Sequence, residues 1–279
     1  MTPKGRSAFL RSGRPGSSGG CGKLPAGYDP PVNRLDEQRR EWDELARLDP
    51  MWAVMSAPER RFGRWDADEF FATGEREVAA LLARGRELGV PAQEEDALEF
   101  GCGLGRVTRA LAKRYDRAVG VDISTQMLDQ AHRLNAGVAN IEFLHNDTGD
   151  LSVLGDRRFD LVYSRHVLQH LPTRDLVARS IRELVRRVRP GGLVLIHVPL
   201  WIPMRNRLLV IRRVYRVLRR LGVPADLLYR RLRLHPVSML AVPEHKLREW
   251  IEAAGGRVLA MDAKQGAVRS ANVYITRDG

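Results

Sequence analysis

The sequence has 279 residues, of which 44% are hydrophobic and 29% are charged, values typical of a globular protein with room for a large core. No apolar run approaches the roughly 20 residues of a membrane-spanning helix, and the basic N-terminus lacks the apolar segment of a secretory signal. Two cysteines, Cys21 and Cys102, are too few for a disulfide framework, so we expect a cytoplasmic protein.

The net charge of +12 is concentrated in two segments. Residues 1–40 carry eight Lys or Arg and three acids, residues 201–240 carry ten Arg and one acid, and the remainder has a net charge of −2. The basic character therefore belongs to appended segments and is weak evidence for nucleic-acid binding. We expect no metal site, because the seven histidines and two cysteines never come together at ligand spacing.

The N-terminal third divides into a tail and a helical region. Residues 1–33 are rich in Gly, Ser, Pro and Arg and lack apolar periodicity, which predicts a disordered basic tail. Residues 34–89 have apolar and aromatic side chains at helical spacing, which predicts an N-terminal helical cap. Its aromatic residues either pack the helices on the core or belong to a lid that excludes water.

Residues 90–279 alternate between strand and helix patterns, with an insertion at about 201–240. The alternation predicts an α/β fold with a doubly wound, mostly parallel sheet. The connection between the last two strands is short, which predicts a hairpin and one antiparallel strand. The predicted strands are about 96–100, Ala118–Val121, Ile141–His145, Phe159–Tyr163, Leu193–Val198, Arg257–Met261 and Ala271–Thr276.

Three glycines at alternate positions follow the first predicted strand, in the run LEFGCGLGR. Gly101, Gly103 and Gly105 allow a sharp turn and close contact with a ligand, and the following helix presents free N–H groups at the same place. This arrangement predicts a cradle for a nucleoside-like cofactor. The third glycine comes one residue too early for the dinucleotide fingerprint, so a nicotinamide cofactor is disfavoured.

Polar residues end the next two strands. Asp122 ends strand two, where a carboxylate can accept hydrogen bonds from both ribose hydroxyls; alternatively, it is a charge at a helix N-terminus. Asn146 and Asp147 follow strand three, where a carboxylate can accept from an adenine amino group; taken alone, they would indicate a turn.

These motifs, together with FDLVYSRHVLQHLP and RPGGLVLIHVP, resemble the class I S-adenosylmethionine-dependent methyltransferases. Within that class the chain is most similar to small-molecule enzymes with an HLP-type motif after strand four. The resemblance is strong over residues 90–200 and moderate over 240–276. It implies a seven-stranded sheet of order 3-2-1-4-5-7-6 with strand seven antiparallel.

The resemblance also implies a cofactor, S-adenosylmethionine, and a product, S-adenosylhomocysteine. By position, Met127 would close the adenine pocket or, equally, belong to the core face of its helix. The implied cofactor-binding residues are Glu99 with the backbone of Gly101, Cys102 and Gly103 for the methionine part, Asp122 for the ribose, Ile123 for the adenine face, Asp147 with the Thr148 backbone for the adenine edge, and Ser164 for the methionine end.

His166 and His170 lie four residues apart just after strand four. On a helix they would share a face, and the histidine pKa suits proton transfer, so both are candidate general bases. His170 alternatively caps or orients the turn. Arg165 is a candidate for fixing an anionic acceptor, although a solvated surface arginine is the favoured expectation.

Residues 205–221 have the pattern of a basic amphipathic helix. Three interpretations remain open: a lid over the acceptor with a solvated outer face, which we favour; contact with an anionic membrane surface or a lipid-like acceptor; and binding to a phosphate backbone. Nucleic acid is disfavoured because Tyr215 is the segment's one aromatic residue. The apolar side consists of Leu208, Ile211, Val214, Tyr215, Leu218 and Leu221.

We therefore expect methyl transfer to a small or lipid-like acceptor, with oxygen as the favoured acceptor atom, by a cytoplasmic enzyme or one at the membrane periphery. The alternatives are an RNA- or protein-modifying methyltransferase recruited by the basic segments, and a non-catalytic cofactor-binding scaffold. The sequence specifies neither the acceptor nor the oligomeric state.

Overall fold

The computed structural model of the protein describes residues 31–91, 93–203, 210–237 and 239–278, with side chains described from residue 34 onward. Pro31–Gly279 form one compact unit. Residues 1–30 of the predicted basic tail lie outside the described residues, and so do 204–209 of the predicted insertion helix. The first helix begins at Pro31, within the segment expected to be tail.

A seven-stranded sheet has the order β3-β2-β1-β4-β5-β7-β6, which confirms the predicted topology. Strands β1 to β5 pair in parallel, and β7 is antiparallel to both β5 and β6. The strands are β1 (Asp96–Phe100), β2 (Arg117–Asp122), β3 (Ile141–His145), β4 (Phe159–Ser164), β5 (Val188–Trp201), β6 (Gly256–Lys264) and β7 (Arg269–Arg277).

Helices cover both faces of this sheet. Polar caps set where several of them begin: Asp66, Ser124 and Thr173 each accept a hydrogen bond from a backbone N–H three residues later. The described helices are α1 (Pro31–Leu48), α2 (Pro50–Val54), α3 (Ala67–Glu87), α4 (Arg106–Leu111), α5 (Thr125–Leu134), α6 (Arg174–Arg187), α7 (Val210–Arg220), α8 (Ala225–Arg230) and α9 (Glu244–Glu252).

The core has two layers because neighbouring strand residues point to opposite faces. Leu98 and Val162 face α6 and α9, where Ile181 is fully buried. Ala97 and Leu161 face the other way, against α3 and α4. Central strands buried on both faces explain why their sequences are continuously apolar.

Strand β5 is longer than its sequence pattern predicts. The run from Arg189 to Gly192 ends helix α6, but the strand begins at Val188 and not at Leu193. Val188 pairs with Phe159 on β4, and the register then shifts before Leu193 pairs with Leu161. A bulge of this kind absorbs extra residues without ending the strand, and the Pro-Gly-Gly run supplies it.

Among the described residues, none of the helices combines the length and the apolarity that crossing a bilayer requires.

Candidate active site

A cavity of about 500 Å³ lies at the carboxyl ends of β1, β2, β3 and β4. Parallel α/β sheets bind their ligands at this edge, and the volume falls within the roughly 300–1,000 Å³ of small-molecule sites. The glycine loop and the segments after β2, β3 and β4 form one side. Side chains from the N-terminal helices, together with Val237 and Met239, form the other.

The glycine loop after β1 is held in a left-handed backbone conformation. Gly101 has a φ of +78° and Gly103 a φ of +53°, angles that a residue with a Cβ rarely adopts. A Cβ on Gly101 would lie 2.3 Å from Cγ2 of Val167, and one on Gly103 would lie 2.6 Å from Cγ2 of Val54. Glycine is therefore required both by the turn and by the close approach of two cavity-lining valines.

Asp122 links this loop to the next helix. Its carboxylate accepts hydrogen bonds of 2.8 Å from the backbone N–H of Gly103 and of Ser124, which caps α5. Burial raises the pKa of Asp122, and these hydrogen bonds oppose the shift. Because Asp122 also lines the cavity, its position suits both roles considered from the sequence, ribose binding and charge at a helix N-terminus.

The structure divides the predicted cofactor residues into two groups. Met127 packs with Phe70 in a core cluster and also lines the cavity, so its position suits both interpretations of this residue. The predicted residues that line the cavity are Gly101, Gly103, Asp122, Ile123, Met127 and Thr148; those that do not are Glu99, Cys102, Asp147 and Ser164.

The four residues outside the cavity wall are mostly buried behind it. One carboxylate oxygen of Glu99 accepts from both the backbone N–H and the hydroxyl of Thr108, and burial raises the pKa of Glu99 to about 8. Cys102 packs into a separate core cluster, and burial raises the pKa of its thiol. Asp147 is exposed, and its buried neighbour Asn146 lines the cavity in its place.

Ser164, the last residue of β4, is fully buried. Its hydroxyl has no hydrogen-bond partner in the part of the chain that the structure describes. Buried hydroxyls are rarely left unpaired in folded proteins. Ser164 itself does not line the cavity, although the next residue, Arg165, does.

An ionic cluster in the cavity wall was missed by sequence reasoning. Glu77 on α3 accepts from Arg106 at 2.7 Å, from Arg165 at 2.8 Å and from the hydroxyl of Tyr163. Burial alone would raise the pKa of Glu77, but the two guanidinium charges and the hydrogen bonds outweigh it and hold the pKa at about 2. The favoured expectation for Arg165, a solvated surface arginine, is wrong because its side chain is turned into this cluster.

Both predicted histidines line the cavity, although they do not share a helical face. His166 has a φ of +61°, and His170 ends a short 3-10 turn, Leu168–His170. The ring of His166 lies 4.5 Å from that of His197, measured between centroids. The surrounding protein, with the neighbouring His197 and Arg165, lowers the pKa of His166 to about 3.

His170 is held by the N-terminal helices. Its ring packs edge-on against Trp42 of α1 at 5.5 Å, and its backbone carbonyl accepts from the side chain of Gln38. Its Nε2 lies 3.0 Å from the side-chain nitrogen of Gln169. The predicted helical cap therefore positions one of the two candidate bases as well as covering the site.

The fold and this cavity define a ligand-binding α/β protein of the class I methyltransferase topology, and the comparisons agree. Residues 98–196 match a family model described as a methyltransferase domain. The chain is 31% identical over 138 residues to a trans-aconitate 2-methyltransferase of Deinococcus radiodurans, covering 48% of this chain and 49% of that protein. It is 31% identical over 106 residues to a ubiquinone biosynthesis O-methyltransferase of Paracidovorax citrulli, covering 37% and 43%.

Solved structures share the fold at low sequence identity. Magnesium protoporphyrin IX methyltransferase from Synechocystis superposes with a TM-score of 0.56 at 18% identity, over 88% of this chain and 100% of that chain. The N-methyltransferase NodS from Bradyrhizobium japonicum gives 0.55 at 17% identity, over 87% and 99%. The chain thus matches a methyltransferase domain model over residues 98–196 and shares the class I methyltransferase fold, and it spans about half or less of the length of these curated relatives.

The residues present fit S-adenosylmethionine. The left-handed glycine loop and the carboxylate of Asp122 line one cavity of suitable size, together with Ile123 and Asn146. Within the described ranges, no three His, Cys, Asp or Glu side chains gather as metal ligands do.

Proposed function

We propose that this protein transfers a methyl group from S-adenosylmethionine to an oxygen atom of a small or lipid-like acceptor. One observation carries the proposal: the glycine loop and Asp122 line the same cavity as His166 and His170. When bound, the cofactor supplies an electrophilic methyl group on a sulfonium sulfur. The protein's tasks are to orient the two reactants, exclude water and accept a proton.

Residues at the carboxyl ends of the strands bind the cofactor. The backbone of Gly101 and Gly103 holds the methionine part, and Asp122 accepts from the ribose hydroxyls. Ile123 packs on the adenine, whose edge meets Asn146 and Thr148. Asn146 takes over the role expected of Asp147, because it is the buried member of the pair and lines the cavity.

Apolar side chains from the helical cap and from the segment before α9 exclude water from the cavity. Trp42, Trp52 and Met55 come from the N-terminal helices, and Val237 and Met239 come from the segment before α9. These apolar side chains cover the cavity from the side opposite the glycine loop. A dry cavity strengthens every hydrogen bond that orients the acceptor and prevents competing attack by water.

His170 is the proposed proton acceptor. A group with a pKa of about 3, such as His166, holds a proton weakly at neutral pH, so its neutral ring is suited to hydrogen bonding with the acceptor. His170 lines the same cavity, and its ring is oriented by Trp42. An acceptor hydroxyl would therefore be oriented by His166 and deprotonated by His170.

The ionic cluster favours an acceptor that carries an anionic group. Arg106 and Arg165 share a single carboxylate, Glu77, so these three side chains together carry one positive charge in excess. An anionic group of the acceptor next to the two guanidinium groups would balance that charge. The match to proteins named for trans-aconitate, a carboxylate, supports this chemistry.

The test is methyl transfer from isotope-labelled S-adenosylmethionine to a panel of small carboxylates, phenols, alcohols, amines and thiols. The proposal predicts labelled product with oxygen acceptors, and more with those that carry a carboxylate. Transfer only to amines or thiols would contradict the oxygen assignment. Transfer only to RNA or protein would contradict the small-molecule assignment.

A further inference from the structure

Helix α7 is attached to α1 by its basic side. Arg212 and Arg216 both pair with Glu41 at 2.9 Å, and Arg219 pairs with Glu44 at 2.7 Å. The hydroxyl of Tyr215, which is buried, also donates to Glu44. Three of the arginines expected on a solvated outer face are therefore turned inward against the acidic residues Glu41 and Glu44 of α1.

The opposite side of α7 consists of exposed apolar residues. Their side chains are 42% to 73% exposed, although chemically similar residues elsewhere in the chain are mostly buried. Four of the five recur at the four- and three-residue steps that keep side chains on one side of a helix. These residues, the α7 apolar stripe, are Val210, Ile211, Val214, Val217 and Leu221.

Two cations interrupt this stripe. Arg213 and Arg220 are exposed, lie seven residues apart and therefore point in similar directions. Neither has an ion-pair partner within residues 31–91, 93–203, 210–237 and 239–278. The outer side thus combines five apolar side chains with two positive charges whose partners must come from outside the described chain.

We propose that this outer side of α7 docks on the surface of an anionic lipid bilayer. An interfacial helix places its apolar residues at the boundary between headgroups and acyl chains, with its cations beside the lipid phosphates. The α7 apolar stripe would contact the acyl chains, and Arg213 and Arg220 would contact the lipid phosphates. This docking is independent of the proposed methyl transfer.

A second copy of the chain fits this surface less well. A symmetric pair of stripes would bring four arginines, Arg213 and Arg220 from each copy, into one interface. The helix is also only roughly 16 Å long and about 12 Å wide. That footprint is far below the roughly 800 Å² per partner that a stable interface buries.

The bilayer would lie next to the wall of the cavity. Helix α1, which holds α7 through Glu41 and Glu44, also contributes Gln38 and Trp42 to the cavity lining. A protein docked through α7 would thus keep its acceptor pocket close to the membrane, where a lipid-like acceptor resides.

The test is co-sedimentation of the full chain with vesicles of phosphatidylcholine alone and of phosphatidylcholine mixed with phosphatidylglycerol. We expect binding to the mixed vesicles that weakens with salt. Val214→Ser with Val217→Ser should reduce partitioning about tenfold. Arg213→Gln with Arg220→Gln should reduce it about fivefold per arginine removed.

Val153→Ser and Leu134→Ser are matched controls, because both residues are exposed and apolar but lie outside α7. They should partition as the unaltered chain does. Binding of S-adenosylhomocysteine should be unchanged in every variant, which separates this test from that of the methyl-transfer proposal and reports intact folding.

Three results would overturn the proposal. Equal partitioning of the α7 variants and the unaltered chain would place any lipid binding elsewhere. Concentration-dependent self-association that the valine substitutions abolish would assign the face to a second copy. Retention on structured RNA that only the arginine substitutions abolish would assign it to nucleic acid.

Discussion

Arg189 at the amino end of the central parallel strands and Ser164 at the carboxyl end differ in how their polar groups are paired. At the amino end, Arg189 donates to Asp96 at 2.6 Å and to Asp160 at 2.8 Å, and Asp160 also accepts from the backbone N–H of Glu95 and Asp96. At the carboxyl end, the hydroxyl of Ser164 has no partner among the described residues.

Burial shifts the pKa values of three side chains that lie toward the carboxyl end. The pKa of Glu99 is raised to about 8, and those of His166 and His197 are lowered to about 3 and about 4, in each case chiefly by burial. Polar groups that are hydrogen-bonded or ion-paired within the protein stabilise the fold. Groups beside a cavity that lack a partner, or whose pKa is shifted, can interact with a ligand. The same sheet therefore provides stability at one end and chemistry at the other.

The largest expected effect is on catalysis at the carboxyl end. If His170 accepts the proton, His170→Ala should lower kcat about 10²- to 10⁴-fold while leaving cofactor affinity nearly unchanged. His166→Ala should act mainly on KM for the acceptor. Steady-state kinetics with an identified acceptor would measure both; activity within a few-fold of the unaltered enzyme would remove each residue from the mechanism.

A substitution at the amino end should lower stability and leave cofactor affinity nearly unchanged. Arg189→Met leaves the buried carboxylate of Asp160 without its cation and leaves Asp96 with Arg117 alone, which should lower the free energy of unfolding by about 3 kcal/mol. Urea denaturation would measure this loss. The Kd for S-adenosylhomocysteine, measured below the unfolding transition, should change less than twofold; a large change would mean that the two ends are coupled.

The pH dependence of stability tests the environment of Glu99 at the carboxyl end of the sheet. Its pKa is about 8 in the folded protein, above the ordinary value of 4.5, so the unfolded chain binds fewer protons between these values. Stability should therefore fall as pH rises from 4.5 to 8. Glu99→Gln, which stays neutral, should flatten this dependence and be more stable than the unaltered protein at pH 8. Parallel pH profiles in urea denaturation would contradict the raised pKa.

Much of this architecture could be predicted from the sequence. Strands buried on both faces are continuously apolar, and glycines at 101, 103 and 105 follow the first of them, so the topology and the position of the site follow from local patterns. Asp122 ends a strand that neighbours the glycine loop, which is why it could be placed beside the cavity.

Other features depend on tertiary contacts that local patterns do not specify. Glu77 belongs to a cap helix and reaches the site only because α3 packs beside β4. An amphipathic pattern shows that α7 has two sides, but Glu41 and Glu44 of α1 decide which one faces inward. Asn146 is buried and lines the cavity, whereas the next residue, Asp147, is exposed. The turn after β3 decides which of the two faces the cavity, and the sequence pattern does not specify that turn.

Substitution of Ser164 should have the smallest effect, and it tests cofactor affinity and protein stability separately. Because its hydroxyl makes no hydrogen bond among the described residues, Ser164→Ala should change the free energy of unfolding by less than about 0.5 kcal/mol. If the hydroxyl binds the methionine end of the cofactor, as the sequence predicts, the affinity for S-adenosylhomocysteine should fall roughly three- to tenfold, the value of one hydrogen bond. Loss of stability without loss of affinity would mean that the hydroxyl serves the fold.

The central claim is that a nucleoside cofactor binds at the carboxyl end of this sheet with Asp122 as a ligand. Calorimetric titration with S-adenosylhomocysteine tests it most directly, using Asp122→Ala and, as a matched control, Asp156→Ala, whose carboxylate is exposed and away from the cavity. The account predicts a Kd raised at least tenfold by Asp122→Ala and unchanged by Asp156→Ala, with both variants folded by thermal melting. Equal affinities for the unaltered chain and Asp122→Ala, or no binding to either, would contradict it.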